Sequence, residues 1–301
     1  MSTMTLPAPV PVSVPLRAPR AVPRVLAVAG SDPSGGAGIQ ADLKSIAAHG
    51  GYGMAVLTAL TAQNTRGVRD VHVPPPGFLR AQLDAVSDDV VVDAVKIGML
   101  GDACAIAVVA DWLAAARRGD ARPAVVLDPV MVATSGDRLL DPDDEQAVRA
   151  MLPLADVVTP NLPELAVLAG AEPAPTWAAA LEQARALAAE HGVLVVVKGG
   201  HLAALDAPAA RVPDALVGPR GVLVELDGER VATTTTHGTG CSLSSALATC
   251  FARHHDWERA LRESKEWLTA AIRAGAALEV GQGHGPVDHL VALRGTAATA
   301  T

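Results

Sequence analysis

Residues 24–49 read RVLAVAGSDPSGGAGIQADLKSIAAH. Apart from Arg24, the first seven residues of this segment are apolar or glycine, which is typical of a short buried strand. A turn rich in Pro, Ser and Gly follows at residues 31–36, and residues 37–49 place their large apolar side chains on one helical face. This succession of strand, turn and amphipathic helix predicts the start of an α/β fold.

The same alternation continues along the chain. Further strands are expected at residues 54–60, 94–98, 124–127, 156–159 and 193–198. Helices are expected at residues 76–89, 103–118, 143–151, 162–169 and 176–190. Apolar strands that alternate with helices predict a parallel sheet covered on both faces. The expected fold class is therefore α/β, as a three-layer α/β/α sandwich with a mainly parallel central sheet.

The two ends of the chain depart from this pattern. Residues 214–234 contain short strands and Gly-containing turns that favour antiparallel hairpins, and two helices follow at 240–253 and 256–279. No internal repeat or internal linker interrupts the pattern, so residues 25–295 are predicted to form a single domain. Residues 1–24 are rich in Pro, Ala and Val, and a disordered leader is expected there, with a transit peptide as the less favoured alternative.

The composition disfavours several classes of protein. The chain has 301 residues and a formal net charge of −8, and it contains no basic cluster, so nucleic-acid binding is not expected. No apolar run reaches the ~18–20 residues of a membrane span. The three cysteines, Cys104, Cys241 and Cys250, follow no zinc or disulfide spacing, which suits a reducing cytoplasm.

A second glycine-rich stretch, HGTGC at residues 237–241, precedes a run of small and apolar residues that predicts a helix start. Its two glycines allow a tight turn with bare backbone N–H groups. Together with the free N–H groups of the first helical turn, these would bind an anion such as phosphate. A thiol at this position would have a stabilised thiolate. The alternative is a structural Gly-rich turn with a buried cysteine.

The first glycine-rich loop raises a different possibility. Residues 36–41 read GAGIQA and fit the dinucleotide-binding pattern G-x-G-x-x-[GA]. A dinucleotide site also requires an acidic residue about 20 residues later, and residues 60–65 contain none. A P-loop is disfavoured more strongly, because the chain contains no Gly-Lys pair.

Charged residues are predicted at the carboxyl ends of several strands. Lys96, Asp128 and Lys198 lie at such ends, and Glu164 follows another strand closely. An isolated charge on a buried strand is costly, so each should reach the rim or be paired. Parallel sheets bind ligands outside their carboxyl ends. We therefore expect carboxylates for a Mg²⁺–phosphate complex, a lysine for phosphate charge, and bare N–H groups for a transferred phosphoryl group.

Seven blocks of sequence, in order, resemble one known family. They are residues 29–44, 58–65, 96–100, 127–131, 159–164, 198–201 and 237–241. From about residue 24 to about residue 291, the chain closely resembles the hydroxymethylpyrimidine/phosphomethylpyrimidine kinases of thiamine biosynthesis, within the ribokinase-like superfamily. The resemblance implies an enzyme that uses ATP and Mg²⁺. It would phosphorylate 4-amino-5-hydroxymethyl-2-methylpyrimidine and then its monophosphate, to give the diphosphate.

The resemblance also implies which residues form the site. The pyrimidine pocket is expected to be lined by Gln63, Asp42 and Met99, with Gly30 and Val126 near it. The residues expected at the nucleotide are Asp128, Asn161, Glu164 and Lys198, with Glu164 and Asp128 reaching Mg²⁺ through water and phosphate. The anion hole is expected at Gly238, Thr239 and Gly240. Cys241 stands where most sugar kinases of the superfamily have an aspartate base, and either a base or a pocket-lining thiol fits there.

Two positions depart from the family pattern. Thr134 stands where the family usually has a lysine, which removes one positive charge near the phosphates, and Thr235 replaces a common asparagine. The less favoured readings are a pyridoxal kinase, because some members of this cysteine-bearing branch phosphorylate pyridoxal, and a non-catalytic sensor on the same fold. A homodimer is expected, with Trp257 and Trp267 in core or dimer packing.

Overall fold

Nine strands form one sheet in the computed structural model, which describes residues 14–131, 144–200 and 211–298. The strands are β1 (Arg24–Ser31), β2 (Tyr52–Asn64), β3 (Gly67–His72), β4 (Ala94–Ile97), β5 (Ala124–Leu127), β6 (Val157–Val158), β7 (Leu194–Lys198), β8 (Asp214–Gly218) and β9 (Gly221–Leu226). Their order across the sheet is β3-β2-β1-β4-β5-β6-β7-β8-β9. The six central strands β2, β1, β4, β5, β6 and β7 are parallel to one another. The outer strands β3, β8 and β9 pair antiparallel, β3 on one side of the sheet and β8 and β9 on the other.

Helices cover both faces of this sheet. They are α1 (Gly38–Ala48), α2 (Pro76–Ser87), α3 (Ala103–Ala116), α4 (Glu145–Ala150), α5 (Leu162–Ala169), α6 (Trp177–His191), α7 (Thr239–His254), α8 (Trp257–Gly275) and α9 (Val291–Ala298). The expected three-layer α/β/α sandwich with a mainly parallel sheet is confirmed. No helix in the described ranges has both the length and the apolarity needed to cross a lipid bilayer.

Two apolar cores form because successive strand residues point to opposite faces. One core joins α2 to α6 with side chains such as Val95, Ile97 and Val125. The other core joins α1, α7 and α8 with sheet residues such as Ala94 of β4 and Val126 of β5. Lys96 shares the strand face of Ala94, so its side chain enters the layer beneath α1 and α7.

The carboxyl ends of the six parallel strands all lie along one side of the sheet, because parallel strands share a direction. This side is called the carboxyl edge below. In register, Ile97 of β4 pairs with Leu127 of β5, and Leu127 pairs with Val158 of β6. The loop after β1, Asp128, Thr159 and the last residue of β7 therefore meet at this edge. It is the edge at which the sequence predicts a site.

The strand β3 was not predicted, and β2 is longer than the expected 54–60. Val71 is 41% exposed, and Arg69 and Asp70 are also exposed, so β3 has no apolar run of the kind that marks a buried strand. Its pairing with β2 brings Gln63 opposite Val68. Of the antiparallel hairpins predicted within residues 214–234, one is confirmed as β8 and β9, joined at the turn between Gly218 and Gly221. The second is wrong, because the described residues between Leu226 and α7 contain no further strand.

Part of the segment expected to be a disordered leader makes regular contacts. The N–H of Arg17 donates to the carbonyl of Arg122 at 3.0 Å, and the N–H of Arg122 donates to the carbonyl of Pro15 at 2.9 Å. Leu16 packs against the core beside α7, and the N–H of Arg20 donates to the carbonyl of Ala252. Residues 14–23 therefore lie along the amino ends of the strands, opposite the predicted site, while residues 1–13 lie outside the described residues.

Candidate active site

Asp128 lies at the centre of the carboxyl edge, directly after β5, and is almost fully buried. Its Oδ1 accepts from Lys198 Nζ at 3.1 Å and from the Thr159 hydroxyl at 2.9 Å, while its Oδ2 accepts from the Ser244 hydroxyl at 3.2 Å. Burial alone would raise the pKa of Asp128, but the positive charges of Lys198 and Lys96 outweigh it and hold the pKa below its usual value. Asp128 is therefore an ionised carboxylate with three hydrogen-bond donors.

Lys198 ends β7 and faces the start of α7. Burial would lower its pKa, yet the charges of Asp128 and Glu164 raise it, so the ammonium group is charged. A Cβ atom added to Gly240 would lie 3.4 Å from Lys198 Nζ and 3.5 Å from Asp128 Oδ2. The bare backbone of Gly240 thus directly adjoins the Asp128–Lys198 ion pair.

Asn161 and Glu164 form a reciprocal capping box at the start of α5. The Asn161 N–H donates to Glu164 Oε2 at 2.8 Å, and the Glu164 N–H donates to Asn161 Oδ1 at 2.9 Å. Burial raises the pKa of Glu164 to about 7, with the negative charge of Asp128 acting in the same direction and the positive charge of Lys198 opposing it. The N-x-x-E spacing is therefore explained locally by helix capping, whatever ligand it also contacts.

Gly238 caps the N-terminus of α7 with φ of +77°. A Cβ atom on Gly238 would overlap the carbonyl oxygen of Gly36, so the two glycine-rich loops touch through bare backbone. The Thr239 hydroxyl donates to the carbonyl of Thr236 at 3.1 Å and fixes the turn. The Thr239 N–H donates to the carbonyl of Thr236 at 3.4 Å. The next N–H groups of the first turn, at Gly240 and Cys241, have no acceptor within the helix, which is the arrangement that an anion site uses.

Cys241 does not have the acidic thiol that its helix position suggests. Burial raises its pKa to about 11, and the charge of Lys96 lowers it by less than burial raises it. The N–H of Gly38 hydrogen-bonds to the sulfur, so Cys241 contacts the first turn of α1. At neutral pH the group is a neutral thiol, and the expectation of a stabilised thiolate is wrong because desolvation is larger than the helix-end effect.

Four of the five residues expected at the pyrimidine lie on or just after strands: Gly30 on β1, Gln63 on β2, Met99 after β4 and Val126 on β5. Met99 follows β4, and a Cβ atom on Gly30 would overlap its terminal methyl group, so these two residues are in contact. Val126 is fully buried and pairs in register with Lys96. Gln63 lies near the end of β2 with its side chain half-buried, where Oε1 accepts from the Thr61 hydroxyl at 3.2 Å.

Asp42 is placed differently from the other residues of this group. It has no exposed surface, and its Oδ1 accepts from Lys96 Nζ at 2.7 Å and from the Ser245 hydroxyl at 2.8 Å. Its Oδ2 has no hydrogen-bond partner among the described residues. Asp42 is therefore an enclosed group that joins α1, β4 and α7.

The donor set fits a metal held by phosphates and water. No group of three or more His, Cys, Asp or Glu residues within the described ranges could hold a metal ion alone. Asp128 and Glu164 are two carboxylates that share one electrostatic neighbourhood with Lys198. One or two carboxylates, completed by substrate phosphates, is the ligand set that Mg²⁺ commonly uses.

A separate cavity of about 440 Å³ lies between the end of β9 and α8. Its walls include Asp227, Gly228 and Lys265, and it shares no residue with the charged group at Asp128. Lys265 Nζ donates to Asp214 Oδ2 at 2.7 Å, while Asp214 Oδ1 accepts from the Gly199 N–H at 3.0 Å. Asp214, itself held by Lys265, therefore fixes the backbone of Gly199, the residue directly after Lys198.

Several residues at this edge were not among the predicted site residues. Ser244 and Ser245 hydrogen-bond the buried carboxylates of Asp128 and Asp42. Lys96, which the sequence predicted to reach the rim or to be paired, is paired with Asp42. A lysine inside an apolar strand was the only sequence signal, since such a charge requires a partner. Of the two departures from the family pattern, Thr235 is buried and hydrogen-bonds the Thr233 hydroxyl at 2.7 Å, and Thr134 lies outside the described residues.

The fold and the carboxyl-edge arrangement define a ribokinase-like protein. The chain superposes on the crystal structure of an ADP complex of Bacillus subtilis pyridoxal kinase with a TM-score of 0.79 and 34% sequence identity, covering 91% of this chain and 99% of that one.

Sequence relatives define the family more narrowly. The family model for phosphomethylpyrimidine kinase matches residues 32–288, and the chain belongs to this family. The hydroxymethylpyrimidine/phosphomethylpyrimidine kinase of Salmonella typhimurium is 48% identical over 265 residues, covering 88% of this chain and 96% of that protein. The thiamine biosynthesis multifunctional protein ThiED of Corynebacterium efficiens is 54% identical over 274 residues, which cover 91% of this chain. The match spans 36% of the ThiED protein, about a third of its length.

Proposed function

We propose that the protein phosphorylates 4-amino-5-hydroxymethyl-2-methylpyrimidine with ATP and then phosphorylates the monophosphate to the diphosphate. The observation that carries this proposal is the convergence of Asp128, Lys198 and Glu164 with the bare backbone of Gly240 at the carboxyl edge. The family and its named relatives supply the substrate class.

Phosphoryl transfer depends mainly on positioning and on charge stabilisation. In the proposed reaction, the backbone of Gly238, Thr239 and Gly240 at the start of α7 binds the oxygens of the transferred phosphoryl group. Lys198 places a positive charge beside the same group, and Asp128 fixes the ammonium of Lys198 by its hydrogen bond. Donors fixed before the reaction are effective because they need no rearrangement in the transition state.

Mg²⁺ is proposed as the cofactor held with ATP. When bound, it would neutralise charge on the phosphates. Glu164 and Asp128 would hold it through water and phosphate, and the capping box with Asn161 fixes the Glu164 carboxyl for that task. Glu164→Gln is expected to raise the Mg²⁺ concentration needed for half-maximal rate, and an unchanged Mg²⁺ titration would remove Glu164 from this role.

Gln63 is proposed to recognise the aminopyrimidine. The substrate edge presents an NH₂ donor beside a ring-nitrogen acceptor, and a glutamine amide can pair with both. Met99 and Gly30, which contact each other, and Val126 would shape the apolar part of the pocket. Asp42 would support this wall through Lys96, since it has no exposed surface of its own.

Cys241 is proposed to act as a neutral thiol. With a pKa of about 11 it retains its proton at neutral pH in the free protein, so it would line the pocket and not remove the hydroxymethyl proton. The second phosphorylation requires no base at this position, because the phosphate oxygen of the monophosphate is already ionised.

A cytoplasmic homodimer is proposed as the working form. The edge formed by β2 and β3 exposes Leu60 and Val71 by 43% and 41%, and Tyr52 by 60%. Apolar side chains on an exposed sheet edge favour association with another chain. Trp257 is explained by stacking on Phe251 and is not needed for that contact.

Pyridoxal phosphorylation is the second candidate, favoured by the similarity to B. subtilis pyridoxal kinase. Pyridoxal has a phenolic oxygen and no amino group, so it cannot pair twice with Gln63. A buried polar group left without a partner discriminates strongly against the wrong ligand. A non-catalytic sensor is disfavoured because it would not require the charged groups of Asp128, Glu164 and Lys198 at one edge.

The test compares kcat/KM for the pyrimidine alcohol, its monophosphate and pyridoxal in the unaltered protein and in Gln63→Leu. The unaltered protein should prefer the aminopyrimidine, and Gln63→Leu should reduce that preference with little change in KM for ATP. Gln146→Leu, at an exposed position on α4, is the matched control and should change neither value. A preference for pyridoxal in the unaltered protein, or an unchanged ratio in Gln63→Leu, would replace the pyrimidine assignment with the pyridoxal one.

A further inference from the structure

Asp32 and His237 connect the two glycine-rich loops across a sequence separation of 205 residues. His237 Nε2 lies 2.7 Å from Asp32 Oδ2, and both side chains are almost fully buried. An ionised carboxylate can only accept, so Nε2 carries the proton in this contact. The pKa of Asp32 is lowered to about 2: burial would raise it, but the hydrogen bonds from His237 and Ser34 outweigh that effect.

Asp32 also organises its own loop. Its Oδ2 accepts from the N–H groups of Ala37 at 2.8 Å and Gly36 at 3.2 Å, and its Oδ1 accepts from the N–H and the hydroxyl of Ser34. The Asp32 N–H donates to the side-chain oxygen of Gln40 on α1 at 2.9 Å. The carboxylate is therefore fixed to the backbone of the first loop before it meets His237.

His237 fixes the second loop from the other side. Its N–H donates to the carbonyl of Gly285 at 3.1 Å, so the residue is held between the first loop and the segment before α9. The next three residues, Gly238, Thr239 and Gly240, are those proposed to bind the transferred phosphoryl group. A Cβ atom on Gly36 would overlap the His237 ring, which shows that no space separates the loops.

We propose that Asp32 and His237 form a clamp that positions the phosphoryl-binding backbone of α7, and that both are positioning residues for phosphoryl transfer. The proposal rests on the proposed kinase function. The backbone donors must be placed to within a fraction of an ångström of the developing charge, and a displacement of 1 Å can cost on the order of 100-fold in rate. The clamp stabilises the loop, and neither residue is among those proposed to line the pyrimidine pocket, so its loss should reduce kcat much more than substrate affinity.

The experiment uses the full chain with His237→Leu, which removes the donor, and His237→Gln, whose amide keeps an N–H near the position of Nε2. His237→Leu should lower kcat by about 10- to 100-fold, while the dissociation constant of the pyrimidine changes by less than about threefold. His237→Gln should recover part of kcat. His49→Leu is the matched control, because His49 is a half-buried histidine that contacts Trp267 and the Ser45 carbonyl away from both loops.

A double-mutant cycle with Asp32→Asn tests the contact itself. If the clamp exists, Asp32→Asn combined with His237→Leu should be no slower than the slower single variant. Additive losses would overturn the clamp, as would a kcat within about twofold of the unaltered protein in His237→Leu, or equal losses of kcat and pyrimidine affinity.

If His237→Leu fails to fold, the clamp is tested with Asp32→Asn and His237→Gln instead, again by comparing the loss of kcat with the change in the dissociation constant of the pyrimidine. Unchanged kcat in both of these variants would overturn the clamp. If the unaltered protein phosphorylates no pyrimidine, the proposed function is contradicted. If the unaltered protein is active and the variants have the same kcat, only the clamp is contradicted.

Discussion

The ammonium group of Lys96 lies 2.7 Å from Oδ1 of Asp42, and neither side chain has exposed surface. Burial alone would lower the pKa of Lys96, but the carboxylate of Asp42 raises it, so the lysine keeps its charge. The Ser245 hydroxyl donates to the same carboxylate oxygen at 2.8 Å. One charged contact therefore joins β4, α1 and α7 directly beneath the proposed site.

Lys96→Met is expected to destabilise the protein by about 3–5 kcal/mol, because it leaves the buried carboxylate of Asp42 without its counter-charge. Adding Asp42→Asn should recover a large part of that loss. Urea denaturation of the two single variants and the double variant measures it. Lys44→Met removes an exposed lysine from α1 and should cost less than about 1 kcal/mol. Additive losses in the double variant would contradict the pairing.

Two glycines at the start of α7 should respond differently to alanine. Gly238 has φ of +77° and no space for a Cβ atom beside Gly36, so Gly238→Ala should lower the melting temperature together with activity. Gly240 has ordinary contact distance available, with the nearest atoms at 3.4 and 3.5 Å. Gly240→Ala should therefore fold normally and reduce kcat, with pyrimidine affinity little changed. Thermal unfolding by circular dichroism and steady-state kinetics distinguish these outcomes, and a strong loss of stability in Gly240→Ala would contradict them.

Glu164 should make the stability of the protein fall as pH rises from about 4.5 to about 7. Burial raises its pKa to about 7 in the folded protein, so the unfolded chain releases the proton first as pH rises. Glu164→Gln keeps the capping box but cannot titrate. Relative to this variant, the unaltered protein should lose an amount of unfolding free energy on the order of a few kcal/mol between pH 4.5 and pH 8. Chemical denaturation at both pH values measures it, and a pH-independent difference would show that the carboxyl has an ordinary pKa.

Cys241 should react slowly with iodoacetamide at neutral pH. Its pKa of about 11 leaves little thiolate, whereas Cys104 is exposed at the start of α3. Peptide mass spectrometry over a time course should show Cys104 modified first, and Cys104→Ser should remove the fast phase. Faster labelling of Cys241 than of Cys104 would restore the possibility of a thiolate base.

The architecture was predictable because it depends on local patterns. Apolar strands such as 124–127 and 193–198 and the helices between them set the layers, and charged residues after those strands indicated the site edge. The edge strand β3 lacks such a pattern and was missed. Its residues are held by pairing with β2 and not by burial.

The contacts within the site depend on residues far apart in sequence. Asp42 was expected to line the pyrimidine pocket, and only the position of Lys96 on β4 explains why its carboxylate is fully buried. The thiol of Cys241 was judged from its helix position, whereas desolvation by the packed layers around it determines its pKa. No local pattern in either loop reveals that Asp32 meets His237.

The wide separation of Asp32 and His237 has a consequence for how the protein is made. The sheet can grow mostly by adding neighbouring strands, since β4 to β9 lie side by side in chain order. The two glycine-rich loops, in contrast, can meet only after residue 237 has been synthesised and has emerged from the ribosome. A nascent chain would therefore hold most of its sheet while its phosphoryl-binding loop is still unformed, so catalytic competence should arise late in synthesis, well after most of the strands have paired.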